Sequence, residues 1–144
     1  MRRLFPISRP LPEIPYLPPF EFENWAVIAL GGIPNKAQVG DMGIDGRIYP
    51  ISAMPQKKGK DQLGFMDVWY PIQVKEKDHA GRPDIDSFEA VMAREDRQKG
   101  FFVSFDFTSD ALKEIDGFFK KSGRIIIALT VREILDEEIA RKLA

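Results

Sequence analysis

Apolar residues recur along this chain of 144 residues at helical spacing in some segments and at strand spacing in others. The segment "FEFENWAVIALGG" repeats apolar side chains every three or four residues and ends in a Gly pair, which predicts a first helix. In "GDMGIDGRIYPI" a Gly-rich turn leads into alternating apolar residues, which predicts a strand. In "DVWYPIQVKEK", Ile72 and Val74 share one face of a second predicted strand, and Gln73 and Lys75 share the other. Pro71 indicates an edge or a bulge there.

The C-terminal half alternates between helical and strand patterns. The segment "RPDIDSFEAVMAREDRQ" predicts a helix in which Asp86 and Glu89 form a possible capping box. "GFFVSFDF" predicts a strand, "SDALKEIDGFFKKSG" an amphipathic helix closed by Gly123, "RIIIALT" a buried strand and "VREILDEEIARKL" a final helix. Strands separated by helices favour the α/β class, with a sheet that contains some parallel pairs.

The chain is long enough for one domain with a hydrophobic core. Residues 1–19 hold six of the eleven prolines, which remove backbone donors and favour extended structure, so they are expected to form an arm or linker. Residues 20–144 are expected to form the domain. Within it, residues 52–65 carry three lysines between Pro and Gly and are predicted to be a loop.

Composition excludes several classes of site. The sequence has no cysteine and one histidine, so disulfides, thiolate nucleophiles and cysteine or histidine zinc sites are excluded. No apolar run is long enough to span a bilayer, and the N-terminus lacks the apolar stretch of a signal peptide, so a cytoplasmic location is expected. A formal net charge of −1 gives no overall electrostatic signal for nucleic-acid binding.

Oxygen and nitrogen groups near the second strand suggest hydrolytic chemistry. If Asp45 projects toward that strand, its carboxylate, the Gln73 side-chain oxygen and the Val74 backbone carbonyl could share one Mg²⁺, which prefers hard oxygen ligands. Lys75, on the same face as Gln73, could then position or deprotonate a water for attack on phosphorus. A Gln-x-Lys tripeptide alone is common on surface strands and has little specificity.

The combination of segments is far more specific. "GDMGIDG", then "PIQVKEK", a helix, "GFFVSFDFTSDAL" and "RIIIALTVREIL" resemble the Mrr-like branch of the PD-(D/E)XK restriction endonuclease superfamily over roughly residues 20–136. The resemblance implies a restriction-endonuclease-like core, a mixed central sheet flanked by helices. It also implies catalytic roles for Asp45, Gln73 and Lys75, and for a helical glutamate that maps onto Glu23, with Glu21 as the neighbouring alternative. Gln73 stands where the superfamily more often has glutamate.

This resemblance predicts an endonuclease that uses Mg²⁺ or Mn²⁺ to hydrolyse double-stranded DNA in restriction or defence. It looks closest to domains attached to bacterial DNA methyltransferases, so a methyltransferase is an expected partner, and a homodimer is another. The rival interpretation is an accessory module of the same fold that binds DNA or a methyltransferase without cutting.

Other polar residues have both a structural and a functional interpretation. The loop lysines, with Arg82, Arg94 and Arg97, are either solvated or in contact with DNA phosphates; the lysines are Lys57, Lys58 and Lys60. Asp41 is expected to stabilise its own turn, His79 to be a solvated loop residue, and Trp69 to be buried.

Overall fold

The computed structural model describes residues 18–35, 43–50 and 68–143, with side chains described as far as residue 138. Only the last two residues of the predicted arm fall within this part, and Pro19 is already the first residue of a helix. The predicted loop over 52–65 lies outside the described residues, together with its three lysines Lys57, Lys58 and Lys60, and so does Asp41.

Four helices and five strands are present in the described part of the chain. The helices are α1 (Pro19–Ala29), α2 (Arg82–Glu95), α3 (Ser109–Ser122) and α4 (Val131–Leu143). The strands are β1 (Ile33–Pro34), β2 (Gly46–Ile48), β3 (Tyr70–Val74), β4 (Lys99–Ser104) and β5 (Ile125–Thr130). Every element predicted from the sequence is present, and β1 is the addition, because two residues that include a proline carry no strand pattern.

The five strands form one mixed sheet in the order β1-β2-β3-β4-β5. The pairs β1–β2 and β2–β3 are antiparallel, and β3–β4 and β4–β5 are parallel. The predicted α/β class, with a mixed central sheet flanked by helices, is therefore confirmed.

Two details of the predicted sheet are wrong. Pro71 does not mark an edge, because β3 has a partner on each side; the register with β4 begins only at Ile72, so the missing N–H of Pro71 precedes that ladder. The apolar segment "RIIIALT" was expected to be a buried strand, but β5 is at the edge of the sheet and only Ile126 within it is buried. An apolar run does not distinguish an edge strand from a central one.

The sheet has a helix layer on each face. Helices α2 and α3 cover one face, where Phe88 and Phe102 are completely buried, and α1 and α4 cover the other face around Phe22 and Ile72. Side chains of β3 alternate between these layers, as predicted: Ile72 and Val74 pack beneath α1, whereas Trp69 packs on the opposite face.

The start of α2 corrects the predicted capping box. Gly81 is the N-cap, and the carboxylate of Asp84 accepts a hydrogen bond from the Gly81 N–H at 2.9 Å. Asp86 and Glu89 therefore lie inside the helix. Gly81 is the N-cap that was predicted at Asp86, and Asp84 is the acid three residues later that was predicted at Glu89. At the other predicted boundary, Gly123 follows α3 with φ of +78°, a conformation that glycine adopts without strain.

Candidate active site

Asp45 is fixed against the carboxyl end of β3 by two hydrogen bonds. Its backbone N–H donates to the Ile72 carbonyl at 2.8 Å, and its Oδ2 accepts from the Val74 N–H at 2.7 Å. The Asp45 carboxylate thus takes the place of a backbone carbonyl as the acceptor for Val74, just before β2 begins. This arrangement holds the carboxylate in the β2–β3 register, so its position depends on the sheet rather than on a loop.

Glycines allow the chain to approach this point. Gly43 has φ of +92° in the turn that leads into Asp45. At Gly46, a Cβ would lie 2.4 Å from Cγ1 of Val27 on α1, so only glycine lets β2 pass this close to the helix. The Gly-rich motif therefore positions Asp45 against both β3 and α1.

Glu23 of α1 lies beside Asp45. Burial raises the pKa of the Glu23 carboxyl to about 7, and the charge of Asp45 and a hydrogen bond with it act in the same direction, whereas Lys75 opposes them. Glu23 therefore holds a proton for part of the time at neutral pH. Glu21, the alternative that the sequence left open, is exposed on the same helix.

Lys75 directly follows β3, and its backbone N–H donates to the Val103 carbonyl at 2.9 Å. Its ammonium group is close enough to lower the pKa of Glu23 and contributes to the lowered pKa of Asp84 as well. The structure therefore brings together Glu23 of α1, Asp45 just before β2 and Lys75 just after β3 at one end of the sheet.

Gln73 is buried, with a relative exposure of 7%. A Cβ on Gly43 would lie 3.8 Å from Nε2 and 3.9 Å from Oε1 of Gln73, which places the amide beside the turn that leads into Asp45. Among the described residues Oε1 has no hydrogen-bond donor. A buried carbonyl oxygen without a partner is costly, and most such atoms in proteins are satisfied.

This donor set fits a hard divalent cation. The Asp45 carboxylate and the Gln73 amide are oxygen ligands of the kind that Mg²⁺ and Mn²⁺ accept, and the orphaned Oε1 is an acceptor that a cation would satisfy. The Val74 carbonyl, the third expected ligand, belongs to the residue whose N–H binds Asp45.

Arg82, predicted as a weak DNA contact, lies in the first turn of α2. Its guanidinium is 3.7 Å from the Asp86 carboxylate and 3.4 Å from that of Glu114, so both its neighbours are intramolecular acids. His79 is exposed and 3.7 Å from the Asp106 carboxylate, in agreement with a solvated loop residue. Neither residue is among those that the structure brings together around Asp45.

Trp69 is half-buried rather than fully buried. The guanidinium groups of Arg47 and Arg97 lie 4.5 and 4.4 Å from its ring centroid. Arg97 also donates to the Glu95 carbonyl at 2.9 Å, so it helps to satisfy the end of α2. These contacts account for Trp69 and Arg97 through cation–π packing.

Sequence reasoning missed the ion pair between Lys77 and Asp84. The Lys77 ammonium donates to Asp84 Oδ2 at 2.8 Å. Burial acts to raise the pKa of Asp84, but the hydrogen bonds from Lys77 and Gly81 outweigh it and lower the pKa. Lys77 is thus engaged by α2, which leaves Lys75 as the lysine of this segment that faces Glu23. An acid three residues after the N-cap glycine was the available signal.

A second group of acids, Asp86, Glu89 and Glu114, joins α2 to α3 with carboxylate oxygens within 4.8 Å of one another. Burial raises the pKa of Glu89 to about 8, and the hydrogen bond and charge of Glu114 add to the effect. The Glu89 carboxyl therefore holds a proton for most of the time at neutral pH. No sequence signal predicts this group, because its members come together only when the two helices pack.

Comparison with known protein families shows which family the chain belongs to. The family model Mrr_cat, described as a restriction endonuclease, matches residues 17–137. The chain belongs to the Mrr_cat restriction endonuclease family. The match includes Glu23, Asp45, Gln73 and Lys75, and the family assignment confirms the resemblance that the sequence motifs indicated. Comparison with curated proteins and with solved structures gives no match.

Membership in Mrr_cat identifies the domain as a nuclease of the restriction endonuclease type, for which DNA is the substrate. In the described ranges, no helix is both long enough and apolar enough to cross a membrane.

Proposed function

We propose that this Mrr_cat domain is a metal-dependent endonuclease that hydrolyses DNA phosphodiester bonds, with Mg²⁺ or Mn²⁺ as cofactor, in restriction or defence. The observation that carries the proposal is the convergence of Glu23, Asp45 and Lys75 beside a buried Gln73 oxygen that lacks a partner. Perturbed titratable groups clustered at one end of a sheet are typical of active sites.

Asp45, Gln73 and the Val74 carbonyl would hold the ion. When bound, such an ion stabilises negative charge on the phosphate and lowers the pKa of a water. Asp45 contributes most to binding, because it offers the carboxylate and its position is fixed by the Val74 N–H. Gln73 contributes a neutral oxygen, so affinity for the ion is expected to be modest.

Lys75 would serve the attacking water. Its ammonium lies in the field of the acids Glu23 and Asp84 at the carboxyl end of β3, where it can orient a water or donate a hydrogen bond to a phosphate oxygen. Glu23 holds a proton near neutral pH at a carboxyl oxygen beside Asp45, and it gives up that proton when positive charge gathers there.

A non-cleaving accessory module of the same fold is the second candidate, with DNA or a methyltransferase as partner. The net charge of −1 favours it, because a domain with little positive charge gains DNA affinity from a partner. The two candidates differ in one result, the cleavage of DNA by the isolated chain.

The test is plasmid cleavage with Mg²⁺ or Mn²⁺ and with chelator. Lys75→Ala is expected to lose about 10² to 10⁴ in rate, the usual contribution of a positioned acid–base or electrostatic group. Lys113→Ala on the exposed side of α3 is the matched control and should cut like the parental chain. Asp45→Ala should be inactive and insensitive to metal. The double variant of Asp45 and Lys75 should cleave little more slowly than either single variant, because the two residues act as one unit.

Two outcomes would reject the enzyme proposal. Cleavage by Lys75→Ala at the parental rate would show that Lys75 is not part of the centre. Failure of the parental chain to cut under any metal or methylation state, with partner binding retained, would favour the accessory module.

A further inference from the structure

The two edges of the sheet differ in how they are protected. At one edge, β1 has two residues and one of them is Pro34, a short and blunted edge of the kind that resists pairing. At the other edge, β5 runs for six residues, "IIIALT", without a charge or a proline. No described strand lies beyond it. A long apolar edge of this kind favours pairing with another chain.

Hydrogen-bond parity identifies the backbone groups of β5 that face away from β4. The Ile125 N–H donates to the Gln98 carbonyl, toward β4. Because N–H groups alternate in direction along a strand, those of Ile127 and Leu129 also point toward β4. The N–H groups of Ile126 and Ala128 therefore point outward from the sheet. These outward groups lie in the middle of the strand, where an added strand would bind.

An apolar stripe on α3 lies beside this edge. Leu112 and Phe119 are each 50% exposed, and they are seven residues apart, so they share one side of the helix. With Ile115 and the start of β5 at Ile125, they line one groove. Asp116 lines the same groove, but its charge is already paired with Lys120 at 2.8 Å.

We propose that β5 and the Leu112–Phe119 side of α3 form a two-fold interface with a second copy of this chain, in which β5 pairs antiparallel with its counterpart. The α3 helix connects the neighbouring parallel strands β4 and β5, and a helix placed over the gap between them would lie about half a strand spacing inside β5. The two-fold axis would lie half a spacing outside it. With strands about 4.8 Å apart, the two α3 axes would be roughly 10 Å apart, an ordinary distance for packed helices.

The apolar stripe is self-complementary in that arrangement. A two-fold axis makes the α3 helices antiparallel, so Leu112 of one copy lies opposite Phe119 of the other, and Ile115 lies near the axis. An isologous interface requires this property, since each residue must fit the same surface of its counterpart.

The charges at the two ends of β5 are complementary as well. Positive side chains gather around its start, namely Lys120, Lys121 and Arg124, of which Lys120 is paired with Asp116 and Arg124 with Asp96. Negative side chains gather around its end, namely Asp110, Glu133 and Glu137. Arg132 at the negative end is paired with Asp136 at 3.6 Å. Antiparallel association brings the positive end of each copy beside the negative end of the other, which favours a second copy as the occupant.

The proposed dimer reverses strand direction between copies. The carboxyl ends of the two β3 strands would therefore lie at opposite ends of the extended sheet, so association neither completes nor blocks the site around Asp45. The dimer proposal can for this reason fail without affecting the proposed nuclease function.

Sedimentation velocity over a range of concentrations tests the proposal. The parental chain is expected to show twice its monomer mass as concentration rises. Leu112→Glu should remove the dimer by placing charges in the apolar stripe. Ala128→Pro should remove it differently, because it deletes an outward N–H and spares the donors to β4. Ile28→Glu is the matched control: Ile28 is 62% exposed on α1, and this variant should still dimerise.

Circular dichroism shows whether each variant is folded, and Leu112→Glu keeps the test valid if Ala128→Pro does not fold. A parental chain that stays monomeric up to millimolar concentration would overturn the proposal and would mean that another segment or protein covers β5. A dimer that survives Leu112→Glu would overturn it by placing the interface elsewhere. Loss of the dimer in Leu112→Glu with retention in folded Ala128→Pro would overturn the strand pairing.

Discussion

Replacement of Gln73 by methionine is expected to stabilise the metal-free fold. Gln73 is buried, and its Oε1 lacks a donor among the described residues, so the folded state bears the cost of removing that oxygen from water. Methionine has a similar unbranched shape and no strong acceptor, so it fills the same space without this cost.

The expected change in the free energy of unfolding follows from the free-energy cost of one unsatisfied buried polar group. Such a group costs about 1–3 kcal/mol, and a methionine that does not pack perfectly returns part of the gain. A net gain of about 1–2 kcal/mol in the free energy of unfolding is therefore expected in chelator. The same substitution at the exposed Gln98 should change it by less than about 0.5 kcal/mol.

Urea denaturation followed by circular dichroism measures this difference, provided that the slope of the transition is unchanged. Added Mg²⁺ should reduce the stability advantage of Gln73→Met over the parental chain. At a few millimolar Mg²⁺ and millimolar affinity the parental chain gains about 1 kcal/mol, and Gln73→Met, which keeps Asp45 but lacks the amide oxygen, should gain less. Gln73→Glu should respond to metal more strongly than the parental chain.

The reasoning would be refuted if Gln73→Met in chelator were no more stable than the parental chain, while Gln98→Met behaved as expected. The buried oxygen would then carry no energetic cost. A response of Gln73→Glu to metal that equals or falls below the parental response would show that residue 73 does not face the ion.

Three further changes test the electrostatics and the packing. Glu23→Gln should gain stability relative to the parental chain as pH rises from about 4.5 through 7. The raised folded-state pKa of Glu23 makes the parental chain lose stability over that interval, because the unfolded state gives up its proton first; equal melting profiles would contradict this. Glu89→Gln should behave likewise up to about pH 8, which thermal melts across pH can check. Gly46→Ala should cost about 1–3 kcal/mol in unfolding free energy because its Cβ meets Val27. Gly117→Ala, with open space around it, should gain up to about 1 kcal/mol. Similar denaturation midpoints for the two variants would contradict the packing argument.

The order of helices and strands could be predicted because it depends on local periodicity. The alternation of β3 placed Ile72 and Val74 beneath α1, as expected from a period of two. The status of β5 as an edge could not be predicted, since it depends on which strands pair with it. The start of α2 was misplaced because Asp86 and Glu89 have the spacing of a capping box, whereas the actual N-cap, Gly81, has no side chain to signal it. Only the fold shows that Asp84 accepts from the Gly81 N–H.

The candidate site shows the same division. Motif spacing indicated Asp45, Gln73 and Lys75, whose relative positions follow from strand geometry and one pairing. The choice of Glu23 over Glu21 depends on how α1 docks on the sheet, which the sequence does not specify. The raised pKa of Glu89 depends on the packing of its helix against the one that carries Glu114, and it has no local sequence signal.

The β2–β3 register separates the site from the connection between these strands. Gly46 pairs with Ile72 at the end near Asp45, and Ile48 pairs with Tyr70 at the other end, where the chain leaves the hairpin. Tyr70 and Lys75 are five residues apart, roughly 16 Å along an extended chain. Segments of different length can therefore be exchanged between residues 49 and 69 without displacing Asp45 relative to Gln73. Insertions there would leave the register that fixes the candidate site unchanged.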